Sequence, residues 1–518
     1  MKTILEKIQE NAATCGEQDA YRLYVVNNYA GGGGHKYSSL TWRELDILSG
    51  KLAARLCRDC RTNTPVVVYG HKDPLMLVCF LACVKSGRAY CPVDVSVPLN
   101  RVEAIIDAVK PELVLAVEPL KTSGGTLVMD RAGILAALEQ ETGTAAPERY
   151  VSADDVFYII FTSGSTGTPK GVQITRDCLD HFIQWGITLG RGLDDGKRRV
   201  FLNQAPFSFD LSVMDLYLSL YTGGCLFALS KEVQGDMNTL LSALEQSGAE
   251  VWVSTPSFAD MCLADKKFCD ALASRLSLFL FCGETLTNRT ADRLASAFPK
   301  ADIVNTYGPT ESTVAVTQVR ITPELRLETP LPVGEEKPGT WIFIQDEEGR
   351  DLPDGTVGEI VIAGDSVSTG YWKRPDLTER AFGARIVEGV RYRTYRTGDS
   401  GMKRNGQLYY QGRMDFQIKL HGYRIELGDI EGNLLKLEGV TAAAVLPIMR
   451  EGKVRSLTAY VVAERHSSDN FAEGQRLRGD LRALVPEYMI PKKFVFLDRL
   501  PMTNNGKVDR RALGGNKK

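Results

Sequence analysis

Along most of this chain, short continuous apolar runs alternate with stretches whose apolar residues recur every three to four positions. "TPVVVYG" precedes a helical pattern that begins near Pro74, and "PELVLAV", "VFYIIFTSG", "EVWVSTPS" and "LSLFLFCGE" continue the rhythm. Uninterrupted β-branched and apolar runs bounded by turn residues suit strands covered on both faces, so the pattern predicts an α/β fold with mainly parallel sheets flanked by helices. From about Leu331 the texture changes. "WIFIQDEEGRDLPDGTVGEIVIAG" reads as strand, turn, strand, with Glu348-Gly349 and Asp354-Gly355 as hairpin signals, which predicts a β-rich subdomain over about 331–411. After "GRMDFQIKLHGYRIEL" a short α+β pattern follows, and about 100 residues are enough for a small separate domain. The expected division is therefore a large domain over 1–414 and a small C-terminal one over 415–518, with the boundary at Asp415.

Bulk properties narrow the partners. The 518 residues are too many for one core. A formal net charge of −2 leaves no basic footprint for nucleic acid and no polybasic membrane signal. "PLMLVCFLACVKSG" is too short to span a bilayer and reads as a buried helix, and the N-terminal pattern is amphipathic rather than a signal peptide. A cytoplasmic location without membrane insertion is the expectation. The eleven cysteines run from Cys15 to Cys282, an odd and scattered set that forms no disulfide framework. Cys57 and Cys60 make a single CxxC, which lacks a second pair for zinc and reads as a helix end. No GxSxG elbow or HExxH helix is present, and the five histidines are dispersed, which argues against the common hydrolase sites. Gly31–Gly34 reads as a turn between two strands, with no helix start behind it to bind phosphate.

The chemistry concentrates in "IIFTSGSTGTPKGVQIT", Ile159 to Thr175, where a buried strand runs into a loop of Ser, Thr and Gly followed by Lys170. Closely spaced backbone N–H groups and hydroxyls are what phosphate oxygens require. The GxxxxGK[ST] spacing of a Walker loop fails, because Pro169 precedes Lys170 and Gly171 follows it. Further stretches stand in order downstream: "NTYGPTE", "GEIVIAG", "YRTGD", "GRMDFQIKLHGYRIE" and "NNGKVDR". With the first loop they resemble the core motifs of the adenylate-forming superfamily, which includes acyl-CoA synthetases, luciferases and peptide-synthetase adenylation domains.

The resemblance implies ATP and Mg2+ as cofactors and a two-domain enzyme with a mobile C-terminal domain. It implies an ATP site from Thr162, Ser163, Gly164, Ser165, Thr166, Gly167 and Lys170, from Asn305, Thr306, Tyr307, Gly308, Pro309 and Thr310, and from Asp399, Tyr410, Gln411, Gly412 and Arg413. Glu311 corresponds to the family's magnesium ligand, a hard oxygen donor; read without the family it is a solvated carboxylate. Asp399 corresponds to the ribose-binding aspartate; by itself an Asp after Gly reads as a turn. Asp415 matches the hinge. Lys507, on the turn Asn504-Asn505-Gly506, corresponds to a catalytic lysine that contacts both ATP and the substrate carboxylate and is withdrawn when the small domain swings. A lysine on an exposed turn would otherwise be unremarkable.

Within that superfamily, "FDLSVMDLY", "FCGETL" and "NTYGPTESTVAVT" are similar to the D-alanine–D-alanyl carrier protein ligase family. The resemblance implies activation of D-alanine as an aminoacyl adenylate. The amino acid then passes to the phosphopantetheine thiol of a carrier protein, for modification of teichoic acids. Asp210 then faces the substrate ammonium, while Cys282 and Val314 line a methyl-sized pocket. On residues alone Asp210 is equally a helix N-cap, and Cys282 an ordinary buried cysteine. An adenylation enzyme for another small amino acid is the alternative, and an inactive relative a second. "VVNNYAGGGGHKYSS" departs from the family by being longer and richer in glycine.

Overall fold

The computed structural model describes residues 2–25, 36–122, 124–163, 169–272, 274–414, 417–420, 422–450, 453–463, 470–502 and 508–514. The backbone separates into two compact units, one of residues 1–95, 109–160 and 171–412, the other of residues 96–108, 161–170 and 413–518. The Gly31–Gly34 segment lies outside the described residues.

Among the described residues, the first unit is built on three sheets. A nine-stranded sheet runs, in spatial order, Glu335–Glu336, Thr317–Arg320, Asp302–Tyr307, Leu278–Phe281, Val251–Ser254, Val200–Asn203, Cys225–Ala228, Asp19–Val25 and Lys36–Thr41. Its six central strands are parallel, and antiparallel strands close both edges. A six-stranded sheet has the order Leu127–Asp130, Leu113–Ala116, Val66–Tyr69, Tyr90–Val93, Val156–Thr162 and Lys170–Thr175. Val66–Tyr69, Tyr90–Val93 and Leu113–Ala116 are buried at every position, which is why they read as continuous apolar runs rather than as alternation. The third sheet is antiparallel: Thr340–Gln345, Gly358–Gly364, Val390–Arg404 and Phe382–Val387, with Gln407–Arg413 paired to Val390–Arg404.

Every residue of the helix Leu75–Lys85 is buried, so "LMLVCFLACVK" is a core helix and its all-round apolarity has no membrane meaning. Its Phe80 stacks on Tyr90 at 4.4 Å and meets Phe207 edge-on at 5.5 Å. Lys85, at the end of that helix, is buried because Asp46 and Ser49 accept its ammonium hydrogens at 2.6 and 2.8 Å. Two capping boxes, Thr3 with Glu6 and Thr41 with Glu44, start the helices Ile4–Cys15 and Trp42–Asp59. Cys57 lies in the last turn of the second of these and Cys60 caps it; both, like the other nine cysteines, are free thiols. Among the described residues no helix is long and apolar enough to cross a membrane.

The second unit contains a hairpin, Gln417–Leu420 with Tyr423–Glu426, and a sheet of Val440–Arg450, Lys453–Ala463 and Lys493–Phe496. The first pair in that sheet is antiparallel and the second parallel. Ile430, Leu434, Val445, Leu457, Val461, Leu477 and Leu481 form its core against the helices Leu427–Leu434 and Asn470–Leu481.

Candidate active site

The parallel strands Leu278–Phe281 and Asp302–Tyr307 end side by side, with Phe281 opposite Asn305. Loops that leave the carboxyl ends of parallel strands are where α/β proteins place ligands. Here those loops carry Cys282 on one side and Gly308 to Val314 on the other. Thr306 Oγ1 donates to the Phe281 carbonyl at 2.8 Å, and Asn305 Nδ2 to that of Pro332 at 2.8 Å. Both side chains are spent on fixing the strand end, which leaves backbone and Tyr307 to face a ligand.

Tyr307 and Asp399 are buried together, and the phenol donates to Asp399 Oδ2 at 2.5 Å. Burial first, then the Asp399 charge, raises the tyrosine far above its ordinary range, so it remains a donor at any physiological pH. Asp399 is set by its own turn: its backbone N–H donates to Thr397 Oγ1 at 2.9 Å, and Thr397 Oγ1 donates to the Ile360 carbonyl at 2.7 Å. The Tyr410 ring lies 5.9 Å from that of Tyr307, so two aromatic faces sit beside the aspartate. Residues 92 apart in sequence thus meet in a pair suited to a sugar hydroxyl and a flat base.

Glu311 is fully buried, and Tyr371 donates its hydroxyl to Oε1 at 2.8 Å. Burial excludes the alternative that Glu311 is a solvated carboxylate. Tyr371 was not legible as a site residue, since "TGYW" carries no signal by itself. Among the described residues no group of three or more His, Cys, Asp or Glu could enclose a metal. Magnesium commonly takes one or two protein carboxylates, with water and phosphate oxygens completing the shell, and a lone buried Glu311 fits that donor set.

Between Glu311 and the strand that follows, Thr313 and Val314 both have positive φ, 59° and 67°. β-branched residues rarely adopt this conformation, which costs on the order of 1–3 kcal/mol each. Thr313 Oγ1 donates to the Ser366 carbonyl at 2.8 Å, and the Ala315 N–H to the Thr313 carbonyl at 2.8 Å, which hold the turn. Gly308 permits it: a Cβ there would stand 2.5 Å from Ala315 Cα and 2.8 Å from the Val314 carbonyl oxygen. The turn delivers the Val314 carbonyl to Cys282, whose thiol donates to it at 3.6 Å. Both residues are buried. Two residues expected to share a pocket are therefore in contact.

Asp210 occupies the cap position of the helix Leu211–Thr222 but makes no side-chain capping hydrogen bond. The N-cap explanation for this residue fails. In the second unit, Ser163 Oγ donates to the Arg424 carbonyl at 2.9 Å and accepts from the Glu426 N–H at 3.3 Å. Thr162 Oγ1 is buried with no hydrogen-bond partner among the described residues. Lys170 opens the strand Lys170–Thr175, Gln411 is exposed, and Gly412 has a φ of 112°. Gly164 to Gly167, Asp415 and Lys507 lie outside the described residues.

The profile of the AMP-binding enzyme family matches residues 8–372, and that of the AMP-binding enzyme C-terminal domain matches residues 429–507. The chain belongs to the AMP-binding enzyme family. It is an AMP-forming ligase that uses ATP. It is 47% identical to the D-alanine–D-alanyl carrier protein ligase of Bacillus licheniformis over 92% of this chain and 94% of that one. It is 47% identical to the ligase of the same name from Listeria monocytogenes, over 92% and 93%. Among solved structures, an NRPS protein containing adenylation and PCP domains, bound to a vinylsulfonamide inhibitor, superposes with a TM-score of 0.81 at 26% identity. That match covers 99% of this chain and 84% of the other. The large α/β body, the β-rich part and the smaller C-terminal part agree with the fold expected from the motifs.

Proposed function

We propose that this enzyme activates D-alanine with ATP and transfers it to the phosphopantetheine thiol of a D-alanyl carrier protein, for D-alanylation of teichoic acids. The observation that supports a small acid is the Cys282–Val314 contact at the strand ends, which brings together the two residues read as lining the side-chain pocket. The names of the relatives at 47% identity support the same substrate.

In the first half-reaction a D-alanine carboxylate oxygen attacks the α-phosphorus of ATP, the P–O bond to the β-phosphate breaks, and pyrophosphate leaves. The attacking and attacked groups are both anionic, so positive charge placed between them lowers the barrier. Lys507 supplies it, and Thr162 to Gly167 and Lys170 hold the phosphates. Asp399 accepts hydrogen bonds from the ribose hydroxyls, with Tyr307 fixing its second oxygen, and Tyr410 to Arg413 complete the nucleotide site. Glu311, oriented by Tyr371, would hold Mg2+, which supplies charge neutralisation on the phosphates when bound. Asp210 pairs with the D-alanine ammonium.

In the second half-reaction the carrier thiol attacks the adenylate carbonyl. A C–S bond forms, the C–O bond to AMP breaks, and the thiol proton passes to solvent. Asp415 is the hinge that lets residues 415–518 withdraw Lys507 between the two steps.

The test is thioester formation. With labelled D-alanine, ATP and a phosphopantetheinylated D-alanyl carrier protein, label should become protein-bound and hydroxylamine-labile, and the carrier without its prosthetic arm should take none. Adenylate formation without transfer to the carrier would overturn the second half of the proposal.

A further inference from the structure

At the end of the strand Val200–Asn203, in the same nine-stranded sheet, Lys72, Asn203 and Asp215 form a polar cluster in an apolar layer, and nothing in the reaction above uses it. Lys72 follows the strand Val66–Tyr69, in "GHKDP", and its side chain is 1% exposed. Its ammonium donates to Asn203 Oδ1 and to the Ala205 backbone carbonyl. The ammonium also lies 4.4 Å from the centre of the Phe207 ring. Asn203 Nδ2 donates to Asp215 Oδ1 at 2.9 Å, while Asp215 Oδ2 has no hydrogen-bond partner among the described residues. On the other side, Tyr21 OH donates to the Lys72 backbone carbonyl at 2.6 Å.

Burying a lysine and an aspartate is costly, and well-packed apolar residues of the same volume commonly stabilise as much or more. Burial pulls the Lys72 ammonium down to about 8 and pushes the Asp215 carboxyl up to about 8, with each group's charge partly restoring the other's. A cluster with that cost calls for a role other than stability. Its position supplies one. Asn203 ends the strand Val200–Asn203, Ala205 and Phe207 lie in the loop, and Asp215 is in the second turn of the helix Leu211–Thr222. These attachment points bracket Asp210 on both sides.

We propose that Lys72, Asn203 and Asp215 are positioning residues, which fix the segment 203–215 so that the Asp210 carboxylate meets the substrate ammonium. The proposal rests on the reading of Asp210 given above. Lys72 is the central member, because its ammonium, from outside the segment, meets both the strand end at Asn203 and the loop at Ala205.

The test is a double-mutant cycle in ATP–pyrophosphate exchange, with KM for D-alanine and for ATP measured separately. Asp210→Asn alone should raise KM for D-alanine; if it does not, the reading of Asp210 fails. Lys72→Met should raise KM for D-alanine about tenfold and leave KM for ATP within about twofold. In the Asp210→Asn background, Lys72→Met should add less than about twofold, because its effect passes through a carboxylate already removed. Independent, multiplicative effects, or equal rises for ATP and D-alanine, would overturn the proposal while leaving Asp210 in place. Asp215→Asn runs the same cycle from the helix side if Lys72→Met does not fold. Failure of both to fold would make the cluster a stability element and overturn the positioning role.

Discussion

Under the proposed function single residues carry the chemistry, and their surroundings make each role testable. Glu311 is held by the Tyr371 hydroxyl, so Tyr371→Phe should leave the fold intact and weaken the apparent magnesium affinity in exchange assays about tenfold or more. An unchanged magnesium titration would remove Tyr371 from the site. Lys507→Ala should lower the exchange rate by roughly two to three orders of magnitude while equilibrium dialysis still detects ATP binding. Asp180 shows a separate, purely structural effect. Burial pushes its carboxyl up to about 6, against the opposing Ile4 N–H at 3.0 Å and Arg176 at 3.6 Å. A folded-state value above the unfolded one gives stability at low pH that is lost as pH rises from about 4 through 6. Asp180→Asn should therefore melt higher than the parent at neutral pH, by roughly 2 kcal/mol, with the gap closing near pH 4. Candidate residues were legible wherever a motif marked them, as with Asp399 and Glu311. Tyr371, Lys72 and Asp215 were not. A lysine in a turn reads as exposed until tertiary packing buries it, and no local pattern marks the second member of a pair 60 residues away in sequence.

At the scale of elements, the parallel strands were readable because burial on both faces removes alternation, as in Val66–Tyr69 and Leu113–Ala116. Their spatial order was not, since crossovers place Val200–Asn203 between Val251–Ser254 and Cys225–Ala228 without any local cue. The element to which the proposed function gives most weight for specificity is the turn from Gly308 to Val314. Its two left-handed β-branched residues depend on the absence of a Cβ at Gly308. Gly308→Ala would force that turn away from Ala315, at a cost of about 1–3 kcal/mol. The Val314 carbonyl would leave Cys282, so KM for D-alanine should rise and discrimination against larger amino acids should weaken, measured by competing D-alanine with D-valine. A fall in stability with discrimination intact would separate the turn from the pocket.

At the scale of the whole molecule, family membership was legible from six ordered motifs because their chemistry spans the chain, and the two profile matches cover both parts. The assignment of residues 96–108 and 161–170 to the second compact unit was not legible, because it depends on tertiary contacts that leave no mark on local periodicity. Chirality is likewise invisible in a motif, because D- and L-alanine carry the same methyl, ammonium and carboxylate groups. The measurement that tests the central claim most directly is ATP–pyrophosphate exchange with D-alanine, L-alanine, glycine, D-serine, L-serine, L-cysteine and a short fatty acid. D-alanine should support exchange with the highest kcat/KM, and the fatty acid, which has no ammonium for Asp210, should support none. Preference for another amino acid would keep the adenylation mechanism and contradict the assignment of D-alanine, and exchange with the fatty acid would contradict the role of Asp210.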